Sequence, residues 1–283
     1  MRADSLSKTG TPDLLLHVCC APCSIIPLSF LARDGLRVHA FYFNPNIQPQ
    51  DEYQRRLETF VAWASSLGLP FSAPDYQGLL WEEDVAVFGG PYPLIANSPD
   101  YAANRAARLR RCSACYRLRF EAAARVAAER GIACIASTLT ISPYQFVETI
   151  NAELARAAAT CGLSTREDDF RAFYSEAVAL SRQAGLYRQN YCGCRFSAQE
   201  AELERVARRA ARREQRSNTK RDTEGRESSE SGHGDGSSVL FSEKLTAAAG
   251  VLQENRTDEP SPCPLSDEPS LYLHEQGSGD ADR

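Results

Sequence analysis

No run of about 20 consecutive apolar residues, the length needed to cross a bilayer, occurs in the sequence, and its first ten residues hold no apolar core of a secretory signal. A membrane-spanning or exported protein is therefore not expected; a soluble, cytoplasmic one is. Lysine is nearly missing, with three residues, so almost all positive charge is arginine, the side chain suited to forked contacts with phosphate. Glycine is absent from Cys19-Cys-Ala-Pro-Cys-Ser24, the turn after the first apolar run. That argues against a cradle of glycine amides for nucleotide phosphates at this place. Cysteine, by contrast, is plentiful, with 10 among 283 residues. In a reducing compartment close-spaced cysteines are more often metal ligands or redox thiols than structural bridges.

Charge divides the chain. From Asp222 onward fourteen acidic residues face four basic ones, a net of -10, so the overall -5 leaves a body of +5. A mildly basic body permits a nucleic-acid partner without requiring one. Residues 1–12 read as a disordered leader and 214–283 as an acidic, disordered tail. Neither can bury enough apolar surface to offset the entropy of ordering it. A single α/β catalytic domain is assigned to 13–213, with the helical pattern fading beyond Arg205.

Within that body, apolar runs alternate with helix-favouring segments. Strands are expected near 13–19, 37–43, 70–72 and 132–138, and helices over 24–33, 50–67, 105–130 and from Ser142-Pro143 to about Ala159. Residues 78–97, interrupted by glycine and proline, read as irregular. A βαβαβαβα order implies a parallel sheet with helices on both faces, and ligands of such folds bind beyond the C-terminal strand ends. Cys19 and Cys20 fall at the end of the first strand.

Seven cysteines lie in three groups. Cys19-Cys20-x-x-Cys23 spans a strand-to-helix turn, where a helix N-terminus favours thiolate, the metal-binding form. Cys112-x-x-Cys115 reads as a pair at the head of a helix, able to share one metal or cluster. Cys192-Gly-Cys194 places two thiols around a glycine that allows a tight backbone, so the sulfurs can meet in a strained, readily reduced disulfide or share a ligand. Structural zinc is the rival, but one C-x-x-C without a paired histidine suits an iron-sulfur cluster better. Cys134 reads as core, Cys161 as a filler at a helix end, and Cys263 lies in the tail. His17 reads as a core histidine. Asp169 is either a helix cap or a proton donor or metal ligand. The arginines at 105, 108, 110, 111, 117 and 119 either grip RNA phosphates or form a solvated helix face.

Seven segments in this order resemble the QueH-type epoxyqueuosine reductases: His17-Val-Cys-Cys-Ala-Pro-Cys23, Phe43-Asn-Pro-Asn-Ile47, Glu52-Tyr53, Arg111-Cys112-x-x-Cys115, Leu139-Thr-x-Ser-Pro143, Asp169-Phe-Arg171 and Tyr187-Arg-Gln-Asn-Tyr-Cys-Gly-Cys194. Gln48 departs from the histidine expected after Ile47. The resemblance implies a Rossmann-like fold related to the adenine-nucleotide α-hydrolases and a [4Fe-4S] cluster, with a second single iron or other metal as a further option. It also implies reduction of epoxyqueuosine to queuosine at the wobble position of tRNA, fed by an electron donor the sequence does not identify. Under this reading Cys19, Cys20, Cys112 and Cys115 hold the cluster, and Cys192 and Cys194 are the catalytic redox-active pair. In the competing partition Cys23 and some of the same thiols hold a separate metal. Two other classes stay open. One is an iron-sulfur tRNA sulfur-transferase of the PP-loop type, which the glycine-free turn disfavours; the other is a zinc-stabilised RNA-binding module.

Overall fold

The structure, a computed structural model, describes residues 10–227. The leader up to residue 9, most of the acidic tail and Cys263 lie outside the described residues. The elements run β1 (Leu14–His17), α1 (Ala21–Arg33), β2 (Val38–Phe41), α2 (Gln50–Ser66), β3 (Phe71–Ser72), α3 (Gly78–Asp84), α4 (Tyr101–Glu129), β4 (Cys134–Ser137), α5 (Val147–Thr160), β5 (Ser164–Thr165), α6 (Tyr174–Gln183) and α7 (Arg195–Glu227). From Glu204 onward α7 belongs to a second compact unit.

The strands form one parallel sheet in the order β3-β2-β1-β4-β5. Alternation along β1 assigns its faces, because successive side chains point to opposite sides. Leu14 and Leu16 join residues of α1 and α2 such as Leu28 and Phe60, whereas Leu15 joins Phe120, Ile150 and Leu154 of α4 and α5. Helices therefore cover both faces, as the sequence pattern implies. The crossovers end as expected: Gly35, Gly68 and Gly131, just past α1, α2 and α4, adopt the left-handed backbone that glycine tolerates.

Other boundaries differ from the sequence expectation. Helix α4 starts at Tyr101 rather than Arg105, because Asn97-Ser-Pro-Asp100 forms the turn that precedes it and the Ala/Arg-rich stretch after it is all helix-favouring. Cys112 and Cys115 are consequently mid-helix residues, well away from the N-terminus. Residues 78–97 are only partly irregular, since they contain α3 and a short 3-10 turn at Ala86–Phe88. Ser142-Pro143 does not open α5; a 3-10 turn at Thr138–Ile141 precedes it and the helix begins at Val147. Helix α7 does not fade near Arg205 but runs on to Glu227.

One consequence of the sheet is measurable. His39 of β2 is 6% exposed, its Nε2 meets Ser72 Oγ at 3.0 Å, and burial, with Arg130 nearby, lowers its pKa from 6.5 to about 4. Above 6.5 both folded and unfolded chains carry a neutral imidazole. Below it the unfolded chain takes up a proton that the fold refuses, so stability should decline by about 1.4 kcal/mol per pH unit down to about pH 4 from this group. Urea unfolding between pH 7 and 4.5 should show a shallower decline in His39→Gln; equal slopes in the two proteins would contradict the assignment.

Candidate functional site

The site is built at the C-terminal ends of β1, β2 and β4. His17, fully buried, anchors it. Its Nε2 donates to Phe43 O (3.2 Å), leaving Nδ1 to accept from the Ser137 hydroxyl (3.1 Å), and its ring packs edge-on against Phe120. Both nitrogens are satisfied, so His17 is the core histidine the sequence suggests. Its bonds tie the ends of all three strands together. Next to it Thr138 Oγ1 accepts from Cys19 N (3.1 Å) and donates to Cys19 Sγ (3.4 Å).

Cys20 is the N-cap residue of α1, with Pro22 in its first turn. The Sγ atoms of Cys19, Cys20 and Cys23 all lie within 4.8 Å of one another. In a tetrahedral site with sulfur bonds of about 2.3 Å the sulfurs stand about 3.8 Å apart, so the three thiols are near enough for small side-chain shifts to bring them onto one metal. The three thiols differ in acidity. Burial works against ionising Cys20, yet hydrogen bonds from Cys19, Cys23 and the Gln189 amide (Nε2 to Sγ 3.0 Å) hold it well below the ordinary thiol value. Hydrogen bonding with Cys20 raises Cys19 to about 11, and hydrogen bonding with Cys19 raises Cys23.

The other four grouped thiols line a separate cavity, with Cys112 and Cys115 contributed by α4 and Cys192 and Cys194 by the segment before α7. Cys112 and Cys115 lie beyond the reach of the helix N-terminus, and burial outweighs the nearby Arg111 and Arg119, which favour the thiolate. Burial raises Cys112 and Cys115 and lifts Cys194 to about 11. The structure thus brings Cys19 and Cys20 together with Cys23, and Cys112 and Cys115 together with Cys192 and Cys194. All nine described cysteines are free thiols.

The segment 191–194 reaches α4 because the loop after β2 and helix α2 hold its backbone. The buried Arg56 donates to Cys192 O (2.7 Å) and to Glu52 (2.7 Å), and Tyr187 donates to the same carboxylate (2.8 Å). Gln48 N donates to Gly193 O (2.9 Å), Gly193 N donates to Ser197 Oγ (3.1 Å), and Tyr191 donates to Gln48 O (2.7 Å). A Cβ on Gly193 would sit 2.6 Å from Asn46 Nδ2 and 3.0 Å from Ile47 Cγ1, so the close approach is what requires glycine. Gln48, the departure noted in the sequence, serves here through its backbone and through its side-chain amide, which donates a hydrogen bond to Glu82 (2.6 Å).

Sequence reasoning missed Gln189, Thr138, Trp81 and the inward arginines. Arg111 and Arg119 are not on a solvent face but buried. Both stand at helical spacing from Cys115, Arg111 four residues before it and Arg119 four after, and that spacing is the signal that could have found them. Arg117 is exposed and paired with Glu153 (3.1 Å). Asp169 accepts from Arg171 N (3.0 Å) and its side chain, in the manner of a turn cap. Cys161 caps α5 and Cys134 opens β4, both as structural residues.

The family model described as epoxyqueuosine reductase QueH matches residues 14–200. The chain belongs to the QueH epoxyqueuosine reductase family. Similar relatives carry the same name: one from Acinetobacter baylyi is 31% identical, covering 71% of this chain and 88% of the relative, and one from Dehalococcoides mccartyi is 30% identical, covering 67% and 94%. A third, from Thermotoga maritima, is 32% identical over 65% of this chain and 89% of its own length. Every thiol of the two sets lies inside the family match. Among the described residues no helix is long and apolar enough to cross a membrane.

Proposed function

We propose that this chain reduces epoxyqueuosine to queuosine at the wobble position of tRNA. The observation that carries the reading is the meeting of seven thiols, in a set of three and a set of four, at the C-terminal sheet edge within the region matched by the family. The reaction takes up two electrons and two protons, breaks both carbon-oxygen bonds of the epoxide and releases water and an alkene. The chain requires an external electron donor.

The four thiols around the cavity are proposed to hold a [4Fe-4S] cluster, and Cys19, Cys20 and Cys23 a single metal. Four thiolates are the usual ligand set of such a cluster, and the wider spread of the second set suits a multi-atom group better than one ion. The cavity also fits an anionic group. The buried Trp81 Nε1, which lines it, meets no oxygen or nitrogen acceptor and faces the Cys115 sulfur. This partition regroups the sequence expectation, in which Cys192 and Cys194 were a redox pair. When bound, the cluster supplies electrons and the single metal polarises the departing oxygen. The chain's own residues hold the ligands: Thr138 fixes Cys19, the Gln189 amide faces Cys20, and Arg56 with Gln48 fixes the 192–194 turn.

Tyr144, 57% exposed, packs edge-on against Tyr174; Tyr144 borders the four-thiol cavity and Tyr174 a cleft beside Cys23. The exposed Tyr144 ring, backed by the half-buried Tyr174, suits a splayed RNA base, which proteins commonly stack on aromatic side chains.

Anaerobic, reduced protein incubated with tRNA carrying epoxyqueuosine should yield queuosine on nucleoside analysis. Intact cluster with no conversion would defeat the proposal. A colourless, zinc-loaded protein that binds tRNA without turnover would favour the zinc-stabilised module instead.

A further inference from the structure

Arg119 lies on α4 with 1% of its surface exposed. Its Nη2 donates to Asn44 Oδ1 (2.6 Å), while Nε and Nη1 meet no oxygen or nitrogen acceptor and the guanidinium faces the Cys115 sulfur. No carboxylate pairs with it among the described ion pairs, in contrast to Arg111, whose guanidinium meets Glu200. A buried guanidinium is costly unless an anion answers it. The groups that answer this one electrostatically are sulfurs: Cys115 and Cys192 of the four-thiol set and Cys19 of the three-thiol set. Arg119 is thus the buried cation that addresses both sets.

Asn44 cannot supply the missing charge. It is an amide whose Nδ2 donates to Val18 O (2.9 Å), so it orients the guanidinium without neutralising it. Trp81 Nε1 is a second buried donor at the same cavity, turned toward the Cys115 sulfur with no oxygen or nitrogen acceptor, so two side chains of different elements are arranged for a negative sulfur-bound group.

We infer that Arg119 is a positioning residue whose unneutralised charge, held by Asn44 between the two thiol sets, sets the reduction potential of the metal-sulfur group they bind. The inference rests on the proposed cluster. Adding one electron to a thiolate-bound cluster adds one negative charge, and a fixed cation in a medium of low dielectric favours the more negative state. Potentials of such clusters follow net charge and the hydrogen bonds to their sulfurs. Arg119 therefore makes the group easier to reduce by whatever donor serves it.

The test compares wild type, Arg119→Lys and Arg119→Met, reconstituted anaerobically, with iron and sulfide counted and the midpoint potential read by a spectroscopic redox titration. Arg119→Met is expected to keep its cluster but shift to a lower potential, whereas Arg119→Lys should stay near wild type. Equal potentials in all three, at equal cluster content, would overturn the inference, as would equal shifts in Lys and Met variants, which would make shape rather than charge responsible. Should Arg119→Met fail to fold, Asn44→Asp places a carboxylate beside the intact guanidinium and should lower the potential in the same direction; no shift there overturns the inference equally. A wild-type protein that assembles no iron-sulfur cluster overturns the proposed function itself, a result separate from a cluster indifferent to Arg119.

Discussion

Cys115→Ala is expected to abolish cluster assembly, with iron and acid-labile sulfide falling to a residual level and turnover falling by at least about 100-fold. Even hydrogen-bonding partners of metal ligands are worth 10–100-fold in affinity or activity, so a ligand lost from a buried four-thiol site costs no less. Cys115 is mid-helix, and burial holds its thiol in the neutral form until a metal claims it. No neighbouring thiol can replace it without moving α4. Cys192→Ala should behave in the same way, because Cys192 lines the same cavity. Cys20→Ala should differ: it belongs to the three-thiol set and should keep the brown cluster while losing turnover and one metal. The partition expected from the sequence predicts the reverse, with Cys20→Ala colourless and Cys192→Ala still carrying a cluster that can no longer be refilled. Anaerobic reconstitution of the three variants, with iron and sulfide counts and absorbance near 400 nm, separates the two outcomes. A cluster retained by Cys192→Ala would sink the four-thiol assignment.

The sequence made the sheet legible because its signals are local. The apolar runs of β1, β2 and β4 and the glycines at 35, 68 and 131 need no knowledge of the fold. The three cysteine groups were legible for the same reason, since unusual spacing within five residues is visible in one window. Their partition was not. Which set Cys112 and Cys115 join depends on where α4 begins and on the return of residues 191–194, pinned by Arg56 and Gln48 from far away in the chain. A helix start placed four residues late, at Arg105 in place of Tyr101, made Cys112 and Cys115 read as nearer the head of α4 than they are. Arginine adds a second difficulty. Composition cannot distinguish a solvated Arg117 from a buried Arg119, because both occur on an amphipathic helix and the difference is one of face. Gln189 left no physical signal: it stands inside the Tyr187–Cys194 segment that carries the family resemblance, but a glutamine whose amide meets a thiol reads in sequence like any loop glutamine.

The largest effect on stability is expected at Glu200, in the first turns of α7. Its carboxylate is fully buried; Oε1 accepts from Arg111 Nη2 (2.6 Å) and from Tyr92 N (2.9 Å), and Oε2 stands 3.4 Å from Arg108 Nε. Arg111 is itself 1% exposed and packs over the Phe196 ring, so it has no route to water. Removing one partner of a buried pair leaves the other charge unanswered, a loss of about 3–5 kcal/mol, far above the 0–1 kcal/mol of an exposed pair. Glu200→Ala should therefore unfold at markedly lower urea, whereas deleting the exposed carboxylate of Glu121, which pairs with Arg156, should change little. Iron content must be matched between samples, because a bound metal stabilises the fold by mass action. The double variant Glu200→Ala/Arg111→Met tests the cause. If the stranded cation carries the cost, removing it restores part of the stability; if the cost is a cavity, the second substitution only adds to it. A Glu200→Ala protein within about 1 kcal/mol of wild type would refute the argument, since exposed pairs alone contribute so little. The same ion pair reaches the chemistry. It docks the start of α7, whose Ser197 accepts from Gly193 N, and so fixes Cys194 beside α4. Iron should accordingly leave Glu200→Ala faster than wild type in the presence of a chelator, even in urea too dilute to unfold either protein.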